Sequence, residues 1–68
     1  MALFPEKREL TDRDIATLTA RIEREENATN VRYIGPTAAS YEFQGTVDNR
    51  EIKFCVDNES GFIVTQEE

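Results

Sequence analysis

Histidine and tryptophan are absent from this 68-residue chain, cysteine and methionine occur once each, proline twice and glycine three times. Without histidine the commonest general base, proton shuttle and neutral metal ligand is missing, and a Cys–His nucleophile cannot be assembled. A lone Cys55 forms no internal disulfide, so the chain does not read as a disulfide-stapled scaffold. No apolar run approaches the roughly 20 residues needed to cross a bilayer, and no charged segment leads into an apolar stretch of signal-peptide type. The cytosol is the expected compartment, with no membrane partner. Asn27-Ala-Thr and Asn58-Glu-Ser match the glycosylation acceptor pattern, but without a secretory signal they read as turn sequences.

Positive charge is also scarce. Eight basic residues against fourteen acidic ones give a net charge of -6, which argues against a nucleic-acid backbone or an anionic membrane as direct ligand. A basic partner, or solubility alone, fits that balance better. One domain spanning 1–68 is expected, and a domain of this size buries only about 60% of the surface its unfolded chain exposes. With 38% hydrophobic and 9% aromatic residues there is material for one core and none for an enclosed active-site cavity. A partner or a second copy would add stability.

What is present is most legible from Ala39 onward. Tyr41, Phe43 and Val47 alternate with Glu42, Gln44 and Thr46; Asp48-Asn49 interrupts; Ile52, Phe54 and Val56 then alternate with Glu51, Lys53 and Cys55. Asp and Asn tolerate the positive φ of a type I′ turn, so the pattern predicts a two-residue hairpin with Val47 and Arg50 flanking the turn. That register sets Phe43 against Phe54 and Tyr41 against Val56, and a slip of one residue would scatter the apolar set over both faces.

Upstream, 1–9 is a short tail in which Pro5 blocks a helix interior and Leu3 and Phe4 are candidates for the core. A helix is expected over 11–27. Thr11 can cap it reciprocally with Asp14, and Leu10 and Ile15 occupy the staple positions on either side. Ile15, Leu18 and Ile22 form one narrow apolar stripe, and Asn27 suits a left-handed cap. Glu23, Glu25 and Glu26 crowd the negative end of the helix dipole, partly offset by Arg21 and Arg24.

The period then changes to two, and 31–66 reads as a β-meander. A five-residue loop from Gly35 to Ala39 would set Val31 against Phe43, Tyr33 against Tyr41 and Arg32 against Glu42. The turn Asp57 to Gly61 would set Val56 against Phe62 and Phe54 against Val64. The expected fold is α+β: one N-terminal helix packed on a four-stranded antiparallel meander in the order α-β-β-β-β, two layers around one core. The other sheet face, carrying Arg32, Ile34, Glu42, Gln44, Thr46, Glu51, Lys53, Cys55, Ile63 and Thr65, has nothing in the chain to cover it.

Tyr41-Glu42-Phe43, Arg50-Glu51-Ile52-Lys53-Phe54-Cys55-Val56-Asp57 and Ser60-Gly61-Phe62-Ile63-Val64, following a leading helix, resemble the PepSY-like arrangement of tyrosine strand, hairpin, "VD…G" turn and short closing strand. The resemblance covers roughly the last two thirds of the chain. It implies an inhibitory or interaction module without catalysis and assigns no site residue.

The residues supply few chemical roles. Cys55 reads as a half-exposed thiol rather than a nucleophile. Glu42 and Glu51 read as cross-strand ion-pair partners of Arg32 and Lys53. Asp57-Asn58-Glu59 lacks the ligand spacing of a calcium loop, and Gly35, Gly45 and Gly61 precede no helix that would form a phosphate cradle; Gly45 reads as a close-packing site or a bulge under the helix. No catalytic residue, metal or cofactor is expected, and the chain is not read as an enzyme. The expected partner is another protein, met by Arg32, Ile34, Glu42, Lys53, Cys55 and Ile63 on the open face or by an exposed edge strand, with a homodimer as one form of that contact. The alternative is an acidic mimic of nucleic acid that inhibits a basic protein, as certain phage-encoded anti-CRISPR proteins do.

Overall fold

The computed structural model describes residues 10–58 and 60–67, with the side chain of Glu67 left out. Leu3 and Phe4, candidates for the core, lie outside the described residues. The order is α1 (Asp12–Glu26), β1 (Thr29–Pro36), β2 (Ser40–Val47), β3 (Arg50–Asp57) and β4 (Ile63–Glu67). The strands form one antiparallel sheet in the order β1-β2-β3-β4. The expected α-β-β-β-β architecture is the observed one.

Helix α1 begins as its sequence dictates. The Asp14 amide donates to Thr11 Oγ1 at 3.1 Å and the Thr11 amide donates to Asp14 Oδ2 at 3.2 Å, so each residue satisfies an orphan donor of the other. Asn27 ends the helix at φ 56°, ψ 43°, and its amide donates to the Glu23 carbonyl. Leu18 and Ile22 are buried and Ile15 is packed against the core, joined by Leu10 and Ala28 from the two flanks. Tyr41, Phe43, Phe54 and Val56 are fully buried beneath them. Tyr33 adds a tilted ring contact to Phe43, with centroids 5.1 Å apart.

The second hairpin has the register its alternation predicts: Val47 pairs with Arg50, Phe43 with Phe54 and Tyr41 with Val56. Asp48 and Asn49 have φ of 52° and 66°, the left-handed pair a type I′ turn requires.

The first hairpin differs. Tyr33 pairs with Phe43 rather than Tyr41, and Arg32 with Gln44 rather than Glu42. Val31 lies over Gly45 instead of facing Phe43: a Cβ built on Gly45 would stand 2.9 Å from Val31 Cγ2 and 3.3 Å from Phe54 Cε2. The cause is a tighter turn than the expected five-residue loop. The Thr37 amide donates to the Ser40 carbonyl at 2.8 Å, and Thr37 Oγ1 accepts from the Ser40 amide at 3.1 Å. Strand β1 therefore advances by two residues and takes up the excess in bulges, between Thr29 and Arg32 and between Tyr33 and Gly35. An even shift preserves the faces, so Val31 and Tyr33 still pack on the core.

The last hairpin is displaced by one residue, with the opposite outcome. Val56 pairs with Ile63, not Phe62, and Phe54 pairs with Thr65, not Val64. The Asp57 amide donates to the Phe62 carbonyl at 2.9 Å, which leaves four residues, 58–61, in the turn. Asp57 Oδ1 accepts from the Ser60 amide at 3.0 Å and Ser60 Oγ accepts from the Phe62 amide at 3.2 Å, local bonds that favour the shorter turn. Side chains alternate along a strand, so a one-residue slip exchanges faces. Ile63 turns toward the helix and packs against the core, while Phe62 and Val64 are 72% and 56% exposed. The assignment of Ile63 and Thr65 to the open face is thus corrected: Val64 and Gln66 occupy it.

Candidate functional site

The helix covers one face of the sheet, and its backbone comes closest to β1. The opposite face is crossed by rows that the register defines. In the central row Glu42 pairs with Cys55 and Cys55 with Val64; in the next, Arg32 pairs with Gln44, Gln44 with Lys53 and Lys53 with Gln66. Five of the six residues assigned to partner contact from sequence lie on or beside this face: Arg32, Glu42, Lys53, Cys55 and Ile34, the last half-exposed within the second β1 bulge. Ile63 does not.

Charges on this face are mutually compensated. Arg32 Nη2 lies 3.3 Å from Glu51 Oε1 and donates to Gln44 Oε1 at 3.0 Å. Lys53 Nζ lies 3.9 Å from Glu42 Oε2. These are the partners anticipated for Glu42 and Glu51, and as solvent-facing pairs they contribute little stability. They do leave the face near electrical balance. On the helix Arg21 Nε meets Glu25 Oε2 at 3.1 Å one turn away, with exposed Glu23 alongside.

Apolar exposure is greatest at the start of β4 and just before it. Phe62 and Val64 are the two most exposed large hydrophobic residues described, and Val64 is paired with half-buried Cys55. Sequence reasoning missed both because it placed them in the core. The signal that could have found them is Ser60: a hydroxyl two residues before Phe62 can close the turn one residue earlier.

On the helix side, an open cleft of ≈ 350 Å³ lies between the end of α1 and the hairpin tip, lined by Glu26, Val47, Asp48, Arg50, Ile52, Phe54 and Thr65. It lies beyond the end of α1, whose backbone comes closest to β1. Its walls mix apolar floor with charged rim and include no histidine or cysteine. Among the described residues no cluster of His, Cys, Asp and Glu is arranged to hold a metal ion, and no helix is long and apolar enough to cross a membrane.

Comparison with protein-family models, with curated proteins and with solved structures finds no match.

Proposed function

We propose that this chain is a small, non-catalytic protein-binding module, an inhibitor or adaptor, that engages its partner through the open sheet face and the adjoining β4 edge. The observation that carries this reading is the placement of Phe62 and Val64, exposed side by side at the end of a four-stranded sheet whose other face is occupied by the helix. Apolar side chains gathered on an otherwise charge-balanced face are the usual composition of a recognition surface: an apolar centre for affinity and a polar rim for register. The absence of histidine and the open form of the cleft agree with a binding role. The PepSY-like pattern points to the same class.

A second reading is favoured by the distribution of charge. Cations on the sheet face are engaged by Glu51 and Glu42, and the helix carries the acidic residues Asp12, Asp14, Glu23, Glu25 and Glu26 against three arginines. An acidic helix of this kind suits a mimic of the nucleic-acid backbone that occupies a basic protein's groove, as phage inhibitors of the anti-CRISPR type do.

Affinity capture from a native lysate separates the two. The bait is the parent chain, a Phe62→Ser/Val64→Glu variant, or a variant with Glu23, Glu25 and Glu26 changed to Gln. The sheet-face reading expects partners retained in 0.5 M salt by the parent and the helix variant and lost by the sheet variant. Partners that are nucleic-acid-binding proteins, released by salt and lost only by the helix variant, would establish the acidic mimic instead.

A further inference from the structure

Resting on the protein-binding reading, we infer that β4 is a strand-addition edge, and that its occupant is an extended segment of the partner bearing basic residues at its ends, which joins the sheet as a fifth strand.

The two edges of the sheet are built differently. β1 is obstructed: it contains two bulges, Asn30 at φ 54° and Pro36, which has no N–H to offer. Bulges and proline are the devices by which sheet edges resist pairing with another chain. β4 has none of them. Its pairing with β3 is regular from Val56–Ile63 to Ile52–Glu67, and its sequence, Ile-Val-Thr-Gln-Glu, holds no proline, glycine or basic residue. The hydrogen bond from the Asp57 amide to the Phe62 carbonyl fixes the phase of this ladder. Antiparallel bonds alternate, so Val64 and Gln66 direct their backbone groups inward to β3 while Ile63 and Thr65 present theirs to the outer edge. No described strand pairs with that edge.

Charge selects the occupant. From Asn58 to Glu68 the sequence holds three glutamates and no basic residue. A second copy laid antiparallel with Val64 on Val64 would set the backbone of Glu67 opposite Gly61 at both ends of the seam. Two chains of net charge -6 would then meet through segments whose only charges are acidic. An extended segment with lysine or arginine at its ends meets the same edge with opposite charge, and its alternate apolar side chains fall beside Val64 and Phe62.

The test uses the full chain and two synthetic peptides, acetylated and amidated: Lys-Val-Thr-Val-Thr-Val-Lys and its counterpart with Glu at both ends. In amide-resolved NMR titrations the lysine peptide is expected to shift the Ile63 and Thr65 amides and slow their hydrogen exchange. The glutamate peptide should bind at least about tenfold more weakly at low salt. Thr65→Pro removes an outward N–H and none of the bonds to β3, so it should keep the β2–β3 amide pattern and lose the peptide; Thr65→Val should retain it. Equal binding of the two peptides, shifts confined to β1 or the cleft, or unchanged Ile63 and Thr65 exchange in the parent would overturn the inference, and the last of these needs no variant. Concentration-dependent protection of the same amides without peptide would do so as well, making a second copy the occupant. If Phe62→Ser/Val64→Glu loses its lysate partners while the peptide leaves β4 untouched, the protein-binding reading stands and strand addition alone fails.

Discussion

Phe43 and Phe54 face one another across β2 and β3, both fully buried, with the helix above them. The pair joins the hairpin of clearest sequence signature to the only helix described, so it is where local and tertiary structure meet. Truncating Phe54 to Ala removes a buried ring in a domain with little other core. The expected loss is about 3–5 kcal/mol, comparable with the whole stability of a chain this size. Urea titration followed by circular dichroism measures it; a melting temperature within a degree or two of the parent would contradict this core.

Gly45 on β2 is buried with no room for a side chain. An added Cβ would stand 2.9 Å from Val31 Cγ2, 3.2 Å from the Thr29 carbonyl oxygen and 3.3 Å from Phe54 Cε2. One of these neighbours is backbone and one is a buried ring, so neither yields freely. Gly45→Ala is expected to destabilise by about 1–3 kcal/mol despite alanine's better backbone entropy. Equal or greater stability in the same titration would show that β1 relaxes away.

The two ends of α1 give a paired prediction. Thr11→Ala removes the hydroxyl that caps Asp14 and should cost about 0.5–2 kcal/mol. Asn27→Gly places a residue without steric penalty at φ 56° and should be neutral or slightly stabilising. Thermal melts of both variants check the signs; a stabilising Thr11→Ala would show that the cap does not hold the helix in solution.

At the hairpin tip, Asn49 has φ 66°. Asn49→Gly is expected to stabilise the turn and Asn49→Ala to destabilise it by about 1 kcal/mol, since a Cβ in the left-handed region is crowded. Opposite signs measured by chemical denaturation would mean that the turn adopts another type.

Ion-pair removal supplies the contrast. Lys53→Ala breaks a 3.9 Å solvent-facing contact with Glu42 and should change stability by under about 1 kcal/mol. A larger loss would reveal that the Lys53 stem covers apolar surface on the open face.

The sequence alone determined the helix and the second hairpin, because both are short-range problems. Thr11 and Asp14 cap one another three residues apart, and Asp48-Asn49 admits one tight turn between strands whose alternation leaves one register that keeps Phe43 with Phe54. It also placed Arg32, Glu42, Glu51 and Lys53 together on the uncovered face, because the two-residue error in β1 left the faces unchanged.

Only the tertiary structure decided the two longer turns. The Thr37–Ser40 bond shortens the first, and Val31 can slide over Gly45 because that position has no side chain. In the last, bonds from Asp57 and Ser60 hold four residues where five were expected. Alternation along a five-residue strand such as Ile63–Glu67 carries too little contrast to choose between two phases when Phe62, Ile63 and Val64 are all apolar. The backbone geometry of the turn makes that choice. It puts Ile63 in the core and leaves Phe62 and Val64 exposed at the edge.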